Sequence, residues 1–86
     1  MKTIIPPYIV PIEGAEVNIL EVSKNTLHNG KTFFIVTCYV EYKGFRSKTF
    51  SLTIKDNKEL LSKLKVEIAK MKLMIYLGKT QFFEKI

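Results

Sequence analysis

The chain changes its hydrophobic period once. Between residues 16 and 54 apolar and polar residues tend to alternate, and from Asn57 the apolar positions recur every three or four residues. Alternation sends successive side chains to opposite faces of a strand, whereas the longer spacing collects them on one side of a helix. The alternating part divides at turn signals. Residues 16–27 read as a first strand. Asn29-Gly30, inside His28–Lys31, supplies a hairpin turn, because a type I′ turn needs positive φ at both central residues. Residues 32–42 form a second strand rich in β-branched and aromatic side chains. Lys43-Gly44 closes a second tight turn, and residues 45–54 form a third strand. Asp56 is a good N-cap, Glu59 completes a capping-box signal, and Gly78 marks the C′ position of a helix over residues 57–77. That helix is about 31 Å long, close to the ~33 Å of a ten-residue strand, so it can cover one face of the sheet from end to end.

The expected fold class is therefore α+β: a three-stranded antiparallel meander with one long C-terminal helix packed on one face. An extended, proline-punctuated arm (residues 1–14) precedes it, and a short apolar tail (79–86) follows. With 86 residues there is room for a single domain. Pro6, Pro7 and Pro11 exclude a helix interior or a central strand for the arm, yet its apolar content predicts docking on an edge or face. Phe82, Phe83 and Ile86 predict that the tail docks as well.

Pairing Tyr42 with Phe45 sets a register for the second hairpin. One face then carries Phe33/Ile54, Ile35/Leu52, Thr37/Phe50, Tyr39/Lys48 and Glu41/Arg46, and is expected to be core. The other carries Phe34/Thr53, Val36/Ser51, Cys38/Thr49, Val40/Ser47 and Tyr42/Phe45, and is expected to stay uncovered. The Asn-Gly turn adds Leu20 and Val22 to the first face, and Val17 and Ile19 to the second. A bulge near Lys24 would shift that register by one. On the helix, Leu60, Leu61, Leu64, Ile68, Met71, Met74 and Ile75 share the arc expected to meet the sheet. Lys58, Lys65 and Lys72 recur every seven residues along one flank, with Tyr76 at its end. Val66, Leu73 and Leu77 make a second apolar stripe beside Lys63 and Lys70.

Composition adds one asymmetry. Four lysines and four glutamates balance in residues 1–43, whereas ten Lys and Arg face four acidic residues in 44–86, so the whole net charge of +6 lies in the second half. Only one of the fourteen basic residues is an arginine, Arg46. Lysines act as point charges on phosphate rather than as bidentate readers of bases. A single cysteine, Cys38, leaves no intrachain disulfide. Prolines interrupt the initial apolar run before it resembles a secretory signal, and no stretch approaches the ~20 apolar residues that span a bilayer. A soluble, cytoplasmic protein with no membrane partner is expected.

The residues offer no catalytic constellation. His28 lies in a turn, Cys38 lies in mid-strand with no predicted cation beside it, and Asp56 serves as a cap. One His and one Cys make no zinc site, and there is no phosphate loop or nucleophile elbow. The chain is expected to be a non-enzyme with no metal and no cofactor.

Two functions remain. The first is nucleic-acid binding, to DNA or RNA, mainly through the backbone. Its candidate residues are Lys58, Lys65 and Lys72 on the helix, with Lys43, Phe45, Arg46 and Lys48 at the second hairpin tip near Tyr39 and Tyr42. Over residues 16–77 the β-β-β-α order is similar to integrase arm-binding and AP2-type DNA-binding domains. That resemblance implies reading DNA with the exposed sheet face. Here that face is expected to show Ser47, Thr49, Ser51 and Thr53 instead of a set of Arg and Lys. The second function is a protein–protein interaction module, either a homodimer or a small subunit or inhibitor of another protein. Its candidate surface is Val36 and Val40 on the uncovered sheet face with Val66, Leu73 and Leu77 on the helix.

Overall fold

A computed structural model describes residues 2–3, by their backbone, and residues 8–86. The part of the expected arm formed by Met1 and residues 4–7 lies outside the described residues. The fold is α+β, an antiparallel sheet with one long helix, and the sheet is larger than a three-strand meander. Its strands are β1 (Lys2–Thr3), β2 (Tyr8–Ile12), β3 (Ala15–Thr26), β4 (Thr32–Tyr42), β5 (Phe45–Arg46), β6 (Phe50–Ile54) and β7 (Glu84–Lys85). The helix α1 spans Asn57–Tyr76. The long strands β3 and β4 form the middle of the sheet; β2 and β1 pair with successive parts of β3, β5 and β6 with successive parts of β4, and β7 with β5.

The arm docks at an edge as a strand, where Pro11 is tolerated because its missing N–H faces away from the ladder. Its hairpin with β3 turns on Glu13 and Gly14, both at positive φ (49° and 83°). These are the angles of a type I′ turn, and Glu-Gly is a weaker signal for it than Asn-Gly. Lys43 and Gly44 turn the same way (47° and 80°), as expected. The Asn29-Gly30 turn differs. The ladder closes at Leu27 and Lys31, the Asn29 carboxamide accepts from the Lys31 N–H, and only Gly30 has positive φ there. This is a three-residue loop.

Two bulges decide which face is buried, and they reverse the expected assignment. From Tyr42↔Phe45 the register runs to Glu41↔Arg46, but beyond the Ser47–Thr49 segment Phe50, Leu52 and Ile54 stand opposite Cys38, Val36 and Phe34. The ladder has gained one residue. Ser47 holds the break, because its N–H donates to the Val40 carbonyl and its hydroxyl accepts from the Val40 N–H at 2.9 Å. In β3 the register slips at Leu20, between Ile19↔Cys38 and Glu21↔Thr37. A one-residue slip moves every later side chain to the other face. Val17, Ile19, Val36, Cys38, Val40 and Ile54 therefore share one buried face, while Ile35, Thr37, Tyr39 and Glu41 of β4 lie on the other.

Helix α1 packs on the buried face, over β4 and β6. Leu64, Ile68 and Met71 are buried against it, with Leu60 and Ile75 packed beside them; Leu61, expected in that arc, is exposed. The caps match their signals. The Asp56 carboxylate accepts from the Glu59 N–H at 2.9 Å, and the Glu59 carboxylate accepts from Lys55 N–H at 2.9 Å. At the other end Lys79 N–H donates to Met74 O and Gly78 N–H to Ile75 O, a Schellman closure with Gly78 at φ 76°. The tail docks through a 3₁₀ turn and β7, with Phe83 against the core.

Candidate functional site

The two apolar positions proposed for an uncovered sheet face are the first correction. Val36 and Val40 lie beneath α1, each only 1% exposed. The bulge at Ser47–Thr49 aligns the apolar residues of β6 with theirs, and α1 covers the result. The uncovered face is the opposite one. By strand alternation it carries Glu16, Glu21 and Glu41 with Arg46 and Lys55, and a Thr37–Ser51 hydroxyl pair at 3.1 Å. An arginine-rich face for reading DNA is not what these positions make.

The hairpin tip also divides. Phe45 turns inward and packs against the core. Arg46 lies on the open face, 5.1 Å from the centre of the Tyr39 ring and 3.8 Å from Glu41, whose other oxygen accepts from Asn18. Lys43 lies over Tyr42, at 5.6 Å, on the side of the sheet that carries the helix. Lys48 is exposed at the bulge. The tip therefore presents cations on two sides rather than one patch.

The helix lysines fall into two sets. Lys63 and Lys70 occupy the flank above β6, where they approach Glu59 (4.0 Å) and Glu67 (3.3 Å). Those are the only acidic residues of α1. Lys58 and Lys65 are exposed on the opposite flank and have no ion-pair partner among the described residues. Lys72 continues their row but is tied down: its ammonium donates to the Glu13 carbonyl at 2.5 Å and stands 5.2 Å from the Tyr42 ring centre. Lys72 and Lys43 thus meet at one tyrosine and extend the row to the hairpin tip. Tyr76 falls on the same flank at ~100° per residue and is 87% exposed.

The second apolar stripe is exposed. Val66, Leu73 and Leu77 each show more than half of their surface. The sequence reading missed what lies beside it. The outer edge of β6 is unpaired among the described residues. Between it and α1 runs a groove of about 490 Å³ lined by Ser51, Leu52, Ser62, Lys63 and Val66. The expected meander already makes this strand an edge; the groove beside it follows from where α1 lies over β4 and β6, which no local sequence signal marks.

Cys38 is fully buried, and burial, with the Glu67 carboxylate adding to it, pushes its thiol from 9.0 up to about 11. An inert thiol is the consequence, since the thiolate is the reactive form. A pH dependence follows. The folded state holds the proton that the unfolded state releases first, so the stabilisation is complete below pH 9 and is lost as pH rises to about 11. The full loss is on the order of 2–3 kcal/mol. Stability of the native chain and of Cys38→Ala, measured by urea melts across that window, should converge by this amount as pH rises. Parallel curves would show that Cys38 does not contribute.

No helix among the described residues is long and apolar enough to cross a membrane. No known protein family, no curated protein and no solved structure matches this chain.

Proposed function

We propose that this protein is a non-catalytic binder of nucleic-acid backbones, using the α1 flank that carries Lys58 and Lys65. The observation that supports this is the sorting of charge on the helix. Both glutamates of α1 stand with Lys63 and Lys70 above β6, which leaves the other flank purely cationic. Its row runs through Lys72 to Lys43 at Tyr42, and the exposed ring of Tyr76 provides a stacking surface beside it. A cationic track with an aromatic platform suits single-stranded nucleic acid, where phosphates are neutralised and bases stack without sequence preference. The open sheet face, with its three glutamates, has the wrong charge for this task.

The test is fluorescence anisotropy of labelled single-stranded DNA, RNA and duplex DNA at about 50 and 200 mM salt. Binding at the lower salt, strongest for a single strand and collapsing at the higher salt, is the expected result. No binding to any of the three at 50 mM would overturn the reading. The alternative, a protein interaction module, draws on a separate observation, the exposed Val66, Leu73 and Leu77.

A further inference from the structure

We propose that the outer edge of β6 and the α1 flank above it form the contact between two copies of this chain. The two sheets join edge to edge about a two-fold axis near Leu52. The backbone is set for it. The Thr53 carbonyl points away from β4, because it accepts from the Lys63 ammonium at 2.6 Å. Alternation along an antiparallel strand then turns the Ser51 N–H and C=O outward too. Antiparallel pairing centred on Leu52 places Ser51 opposite the partner's Thr53, so each outward group meets its complement. Ser51–Thr53 and its symmetry mate exchange about four backbone hydrogen bonds.

The position of α1 argues for a second copy rather than a free peptide. The helix lies over β4 and β6, at the margin of the sheet. With strands ~4.8 Å apart, joining two β6 edges brings two such helices to about 10 Å, the ordinary distance for packed helices. A lone extended peptide on β6 would leave the outer side of α1 unmatched.

Charge selects the same occupant. Along the flank above β6 the signs alternate: Glu59, Lys63, Glu67, Lys70. Set antiparallel to itself, this series puts unlike charges together at every step. Ser62, Lys63, Val66 and Glu67 flank Leu52 in the groove, so an axis near Leu52 aligns Glu59 with the partner's Lys70 and Lys63 with the partner's Glu67. Val66, 53% exposed, lies near the axis and supplies an apolar centre. In the single chain Lys63 covers the edge, as lysines commonly do on unpaired strands. On dimerisation it exchanges the Thr53 carbonyl for the partner's Glu67.

The experiment is sedimentation equilibrium of the full chain from about 10 μM to about 1 mM, without nucleic acid. A monomer–dimer equilibrium is expected. Val66→Arg and Ser51→Pro should each weaken it at least ~tenfold with unchanged circular dichroism. The first loads the helix contact with charge; the second removes an N–H that β4 does not use. Lys63→Glu and Glu67→Lys should each dissociate alone, and an equimolar mixture should recover a heterodimer, since mixing restores both charge pairs. A strict monomer at 1 mM, or a dimer indifferent to Val66→Arg, would overturn the proposal. A dimer lost with Val66→Arg but untouched by Ser51→Pro would overturn the strand-edge pairing.

Discussion

Val36→Asp leaves little folded protein, while Ile35→Asp, one residue earlier, still folds. Val36 is 1% exposed beneath α1 and stands opposite Val22 and Leu52. A carboxylate there loses its water and gains no cation. An unpaired buried charge costs about 3–5 kcal/mol, and loss of the buried valine adds about 1.5 kcal/mol or more. Together these approach the whole stability expected of a chain this size, at ~0.05–0.15 kcal/mol per residue. Ile35 lies on the open face beside Ser23 and Thr53, where a carboxylate keeps its hydration. Its replacement should cost roughly 1–2 kcal/mol, the value of a partly buried apolar side chain. Thermal melts followed by circular dichroism distinguish the two. The reverse ranking would mean that the face carrying Ile35, and not the face carrying Val36, is the core.

This pair of substitutions also marks where sequence reasoning stops. Local chemistry was readable: the Lys43-Gly44 turn, the Asp56 cap and the Gly78 closure each depend on a few adjacent residues. The choice of sheet face was not, because it depends on counting residues along a ladder. A bulge adds one residue and inverts everything beyond it. The pattern held a clue in hindsight. With an unbroken register, the Val36-Cys38-Val40 stripe of β4 would lie beside Ser47, Thr49 and Ser51. With the bulge, Phe50 and Leu52 take their place beside Cys38 and Val36, which buries more apolar surface. The edge strand β2 escaped for a different reason. Pro11 excludes a central strand, but Glu13-Gly14 is a quiet turn signal. Among the candidate site residues, exposure of Lys58 and Lys65 followed from helical periodicity alone. The inward turn of Phe45 and the tethering of Lys72 required the tertiary fold.

That tethering determines how the proposed nucleic-acid track should be tested. Lys58→Glu combined with Lys65→Glu should lower affinity for single-stranded DNA at least ~100-fold at 50 mM salt, with an unchanged melting curve. Each phosphate contact contributes about 0.7 to the salt slope on a single strand, so loss of two contacts should reduce the slope by about 1.4. Reversal of charge, unlike neutralisation, also adds repulsion along the same flank. Both side chains are exposed with no ion-pair partner among the described residues, so the fold has little to lose. Lys72→Glu is the informative contrast. It removes the bond to the Glu13 carbonyl and the contact with Tyr42, so it should lower the melting temperature as well as affinity, and it cannot by itself assign Lys72 to the ligand. If the double reversal leaves affinity and salt slope unchanged, phosphate does not run along this flank. The cationic excess would then serve solubility, and binding would have to be sought on the α1 flank above β6, where Lys63 and Lys70 stand beside Glu59 and Glu67 and suit a protein surface better than a nucleic acid.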